Sequence, residues 1–143
     1  MNSTDIISEM AKAIQLALGP VFLLTGIAGM LNVMSGRLSR IIGRGRALTE
    51  KPEVIMTYAP EDIRIELLML ERRRHITSRA ITMFTIAALL VCLVIVTLFL
   101  EAMVVVRFNW LIGVLFILAT FGIVVGLGYF LREVQLASHT VRI

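Results

Sequence analysis

The sequence predicts an all-α integral membrane protein, with three transmembrane helices and a cytoplasmic helical hairpin between the first and second, assembled as a homo-oligomeric bundle. Three observations lead there. Of the 143 residues, 58% are hydrophobic, and the mean hydropathy is +0.90, against roughly 45–50% apolar content in a soluble domain. Three stretches, 13–36, 80–100 and 108–131, carry no charged residue. Each reaches or exceeds the roughly 20 residues that cross about 30 Å of hydrocarbon as a helix. Segments so long and continuously apolar are not barrel strands, which alternate in polarity and span the membrane in about ten residues. The charges gather elsewhere: 37–79 holds ten Lys/Arg and six Asp/Glu, while the other connection has Arg107 with Glu101 before it. By the positive-inside rule that segment is cytoplasmic. Three crossings then put the N-terminus outside and the tail, with Arg132 and Arg142, inside.

Taken in order, 1–36 comprises an interfacial helix and the first span, 37–79 the basic hairpin, and 80–143 the second and third spans with a short tail. Ile6, Ile7, Met10, Ile14 and Leu18 recur at helical spacing, with Asp5 and Glu9 on the polar side, as in a helix lying at a membrane surface. The first span is expected to stay in the protein: its leading segment carries Asp5 and Glu9 against one lysine, and no A-x-A-like site follows. Pro20 removes a backbone donor, and a kink or break is expected there.

Beyond the span, Leu38, Ile41, Ile42 and Leu48 keep a helical rhythm until Gly43 and Gly45 weaken it. The segment LTEKPEVIMTYAP, bracketed by Pro52 and Pro60, reads as the turn of the hairpin. Pro60, Glu61 and Asp62 form a helix start, with proline in the first turn and carboxylates at the positive end of the dipole. From there to Gly113 no proline or glycine intervenes, so one helix runs from about Pro60 through the second span. Its Ile63, Leu67 and Leu70 can pack on Leu38, Ile41 and Ile42. In the third span Gly122 and Gly126 make a G-x-x-x-G, which lets helix backbones approach closely, either on the second span or between subunits.

The run AIQLALGPVFLLTGIAGMLNVMSGRLSRIIGRGRAL, with ERRRHITSRAI before the second span, resembles an uncharacterised family of small three-span bacterial membrane proteins, a domain of unknown function. The resemblance covers essentially the whole chain and implies a bacterial inner-membrane location. It implies no activity, cofactor or catalytic residue.

The residues themselves offer two functions. On a helical wheel Phe22, Gly26, Gly29, Val33 and Gly36 share one side of the first span, flanked by Thr25 and Asn32, and a straight continuation adds Arg37, Arg40 and Arg44. One reading is a pore in a ring of subunits. Thr25, Gly26, Gly29, Asn32, Val33 and Gly36 would line it, the three arginines would form a cationic ring that selects among small ions, and Glu101 would sit at the outer mouth. The other reading is a non-conducting adaptor or scaffold. Glycines then pack helices, arginines fix topology, and Arg72, Arg73, Arg74 and Arg79 hold anionic lipid or a protein partner. Asn32 needs protein or water as its neighbour in either case. Glu101 can equally lie in the interface and pair with Arg107, and His75 can be a pH switch or a solvated side chain among head groups.

Catalysis is not expected. There is no H-E-x-x-H, G-x-S-x-G or P-loop, and the two histidines, His75 and His139, have no ligand set. The lone Cys92 lies in the second span, so no intrachain disulfide and no thiolate cluster can form. No metal or other cofactor is implied. The partners expected are membrane lipids, further copies of the chain and small ions. Nucleic acid is not among them despite the net charge of +4, because no aromatic residues interleave the basic runs.

Overall fold

A computed structural model of the chain describes residues 2–104 and 106–141. Arg142, counted above in the tail, lies outside the described residues. The described chain is helical with no strand: α1 (Ser3–Glu50), α2 (Pro52–Thr57), α3 (Pro60–Val104) and α4 (Asn109–Val141). α1, α3 and α4 are each long and apolar enough to cross a membrane, so the chain is a multi-pass membrane protein.

Of the kink or break expected at Pro20, the break does not occur: α1 runs through it. Proline removes only the bond to the carbonyl of Leu16, and the buried flanking positions Ala13, Ala17 and Ile27 hold the rest of the helix against its neighbours. Gly43 and Gly45 do not end α1 either. Each weakens a helix by about 1 kcal/mol, whereas Ile41 and Leu48 on both sides are buried and fix its course. The turn expected between Pro52 and Pro60 contains the short helix α2, with Pro52 at its first position and the Tyr58 N–H donating to Val54 O at 3.3 Å. α3 begins at Pro60 and continues through the second span as one helix.

The buried positions explain why these helices pack. On α1, Ala13, Pro20, Ile27, Met34, Ile41 and Leu48 are each seven residues from the last, with Ala17 buried beside them. On α3, Thr77, Phe84, Val91 and Leu98 form one such row, and Ala80, Ala87 and Val94 another. On α4, Ala119, Gly126 and Glu133 repeat it. Seven residues is the interval at which a helix returns the same side to a packed neighbour. Many of the buried residues are Ala or Gly, which suits lipid: hydrocarbon is as apolar as leucine, so close van der Waals approach does the work that hydrophobic burial does in water. Large apolar side chains such as Phe22, Leu89, Trp110 and Ile117 point outward.

The chain divides into two compact units. One consists of Met1–Met30 and Met83–Val124, the other of Leu31–Thr82 and Val125–Ile143. In the first, Ala17, Val94 and Leu98 form a core covered by Ile95, Phe99, Ile112 and Leu115. Gly122 of α4 lies where an added Cβ would stand 3.3 Å from Ala87 Cβ and 3.7 Å from Met83 O. Glycine here is what lets α4 approach α3. In the second unit, Ile41, Leu48 and Thr77 are buried and Ile63, Leu67 and Leu70 partly so, while Ile42 of the expected stripe is turned outward.

Candidate functional site

Glu133 of α4 is the one fully buried charged residue among the described residues. It occupies the inward row after Ala119 and Gly126, so a helix of ordinary geometry delivers its carboxylate into the second unit rather than to solvent. Arg37 of α1 donates from Nη1 to Glu133 Oε2 at 2.6 Å, and Arg73 of α3 donates from Nη2 to Oε1 at 3.0 Å. One carboxylate therefore clamps two helices to a third, using each oxygen once. Arg37 also lies over the Phe130 ring, 5.2 Å from its centroid, a distance at which the ring face attracts a guanidinium. Two cations on one anion leave the cluster with a charge of +1. Two buried donors on α3 have no partner among the described residues, Arg73 Nε and the hydroxyl of Thr77 one turn further along.

A second pair is of a different kind. Arg44 Nε donates to Glu66 Oε1 at 2.8 Å and Nη2 to Oε2 at 3.4 Å, both side chains being more than a third exposed. Exposed pairs of this sort contribute about 0–1 kcal/mol.

The sequence-derived candidates fall into three groups. In the first unit, Thr25, Gly26 and Gly29 are exposed, and the Thr25 hydroxyl donates to Val21 O at 3.1 Å. In the second, Asn32, Val33, Gly36 and Arg40 are exposed. Beyond their own turn of helix, no atom of the described residues lies within 4 Å of the position a Cβ would take at Gly26, Gly29 or Gly36. The side of α1 opposite Ile27 and Met34 is thus left open by the subunit itself. Ser35 and Ser39, not singled out above, are exposed alongside Asn32 and line a shallow recess with Gly43 and Arg46. Of the expected cationic ring, Arg37 and Arg44 are paired within the chain, and Arg40 has no carboxylate partner among the described residues.

Arg72, Arg74 and Arg79 are exposed, whereas Arg73 belongs to the Glu133 clamp. Glu101 is partly buried and borders a cavity of about 410 Å³ in the first unit with Glu9, Lys12 and Asn109. No ion pair joins it to Arg107 among the described residues. His75 stands 3.9 Å from Glu71, one turn away, and both are exposed. No group of three potential metal ligands gathers among the described residues.

Glu133 escaped the sequence reading because its partners are 96 and 60 residues away. One signal was present: it is the sole acidic residue after Glu101, and it stands seven positions after Gly126.

Residues 17–143 match the family described as "Protein of unknown function (DUF2721)", and the chain belongs to that family. No curated protein and no solved structure matches the chain.

Proposed function

We propose that this family member is a homo-oligomer of the bacterial inner membrane whose α1 helices surround a narrow ion-permeable pathway, with 37–79 on the cytoplasmic side. The observation that carries the reading is the exposure of Asn32 on an apolar helix of the isolated subunit. An unpartnered amide in hydrocarbon costs several kcal/mol, so a spanning helix turns it toward protein or water. The subunit's own helices do not cover it, which leaves a further copy of α1 or a hydrated axis. Glycines at 26, 29 and 36 permit the close approach that a ring of helices needs, and Thr25, Asn32, Ser35 and Ser39 supply polar groups along it. Arg40, seven residues beyond Val33 and without a carboxylate partner among the described residues, is the residue left to form a cationic ring. Arg37 and Arg44 serve the subunit's own fold.

Reconstitution in liposomes tests this. The wild-type protein passes ions with an anion preference, and Arg40→Glu turns the preference toward cations without changing the oligomeric state. A folded oligomer that passes no ions across a range of potential, pH and salt would overturn the pathway and favour a non-conducting adaptor.

A further inference from the structure

In the second unit, three arginines border one recess of about 530 Å³ whose lining does not include Glu133. Arg72 and Arg79 come from α3 and Arg132 from α4, with Leu68 and Ile76 forming apolar wall. All three are exposed, and none pairs with a carboxylate among the described residues. The acidic residue bordering the recess, Glu71, stands near His75 instead. Elsewhere in this unit, Arg37, Arg44 and Arg73 each have a carboxylate. Three arginines against the single carboxylate of Glu71 leave the recess with an excess of positive charge, which an anion seated there would offset.

The place of the recess identifies the anion's carrier. Arg79 immediately precedes the apolar stretch 80–100, and Arg132 immediately follows 108–131. Both sit where a span meets the head groups, the level at which a lipid phosphate lies. One turn before Arg132, Gly128 is exposed with nothing within 4 Å of its Cβ position, leaving room on α4 for an acyl chain below the head group. Arg72 and Arg79 are seven residues apart, about 10.5 Å along the helix axis. That spread runs along the span, so the two phosphates of one head group fall to Arg79 and Arg132, which stand at the edges of two apolar stretches on the same recess, and Arg72 adds positive charge further out. Basic recesses between spanning helices are a recurrent way of holding such lipids.

We infer that Arg72, Arg79 and Arg132 form a binding site for an anionic phospholipid carrying two phosphates, a diphosphatidylglycerol. The inference is independent of conduction, since a subunit holding such a lipid can serve a channel or an adaptor.

The test is native mass spectrometry of the detergent-solubilised protein titrated in turn with diphosphatidylglycerol, phosphatidylglycerol and phosphatidylcholine. Diphosphatidylglycerol binds most tightly. Arg72→Gln with Arg79→Gln weakens it roughly thirty-fold, at the affinity expected for two arginines near an anionic surface. Arg46→Gln with Arg64→Gln removes the same charge elsewhere and leaves binding unchanged. Equal losses in the two double variants would make the effect one of net charge and overturn the site. So would equal affinity for phosphatidylglycerol, or displacement of the lipid by inorganic phosphate at constant ionic strength. Should the first double variant fail to fold, Arg132→Gln alone carries the test: a several-fold loss supports the site and undiminished binding overturns it.

Discussion

Glu133 and Arg44 show how differently two arginine–carboxylate contacts weigh in one molecule. Removing a partner from a buried pair leaves an uncompensated charge and costs about 3–5 kcal/mol, far more than an exposed pair contributes. Glu133 is fully buried, but Arg37 and Arg73 keep 34% and 25% of their side chains exposed, and water can still reach the stranded guanidinium groups. Glu133→Ala is therefore expected to destabilise the protein by about 2–3 kcal/mol, below the fully buried range. Glu66→Gln, at the exposed pair, is expected to cost less than about 1 kcal/mol. Denaturation of the detergent-solubilised variants measures both, and equal losses would show that Glu133 is no clamp. A double-mutant cycle on Arg37 and Arg73 should be non-additive, because each arginine retains part of the anion's compensation when the other is removed. The same geometry changes what an arginine substitution means. Arg73 belongs to the fold, so Arg73→Glu would unclamp the helices and report nothing clean about surface binding. Arg72 and Arg79 are the positions where charge can be changed without touching the clamp.

At the scale of elements, glycine carries opposite consequences at two positions of α4. A Cβ at Gly122 would press on Ala87 at 3.3 Å, while a Cβ at Gly128 meets nothing within 4 Å. Gly122→Leu is expected to push α4 off α3 and cost about 1–3 kcal/mol. Gly128→Ala should be neutral or stabilising, by up to the roughly 1 kcal/mol that alanine gains over glycine in a helix. Thermal unfolding in detergent tests the pair, and a larger loss at Gly128 would reverse the assignment. These elements also show how far the sequence could be read. The uncharged runs gave the three spans directly, and the absence of proline and glycine between Pro60 and Gly113 gave α3 as a single helix, because both signals are local. At Pro20, read as a kink or break, no break occurs, because one lost backbone bond is set against the packing of Ala13, Ala17 and Ile27 along the same helix. The weakening read at Gly43 and Gly45 does not end α1, whose Ile41 and Leu48 are buried on either side. The Glu133 clamp stayed hidden for a related reason: a carboxylate next to Arg132 in a short tail looks solvated until the seven-residue row from Ala119 is followed through Gly126.

For the whole molecule, the open side of α1 allows folding and assembly to be separated by substitution. Gly29 is exposed, and an added Cβ there meets nothing within 4 Å among the described residues beyond its own turn of helix, so a side chain there starts into space the subunit leaves open. If α1 packs against α1 of another copy, that same side chain enters the closest point of approach between them, where small residues are required. Gly29→Ile should therefore change the stability of the solubilised subunit by no more than the ordinary range for a surface change, about 0.5 kcal/mol, while abolishing the oligomer in crosslinking and light scattering. Gly122→Leu should do the reverse, lowering subunit stability first and changing assembly only as a consequence. Asn32→Leu adds a third arm. In a lipid-facing position it would stabilise the subunit by removing an unpaired amide, whereas at an interface or hydrated axis it would weaken assembly or ion passage. An intact oligomer in Gly29→Ile together with a more stable Asn32→Leu would place this side of α1 in lipid, and the pathway proposed for it would fall.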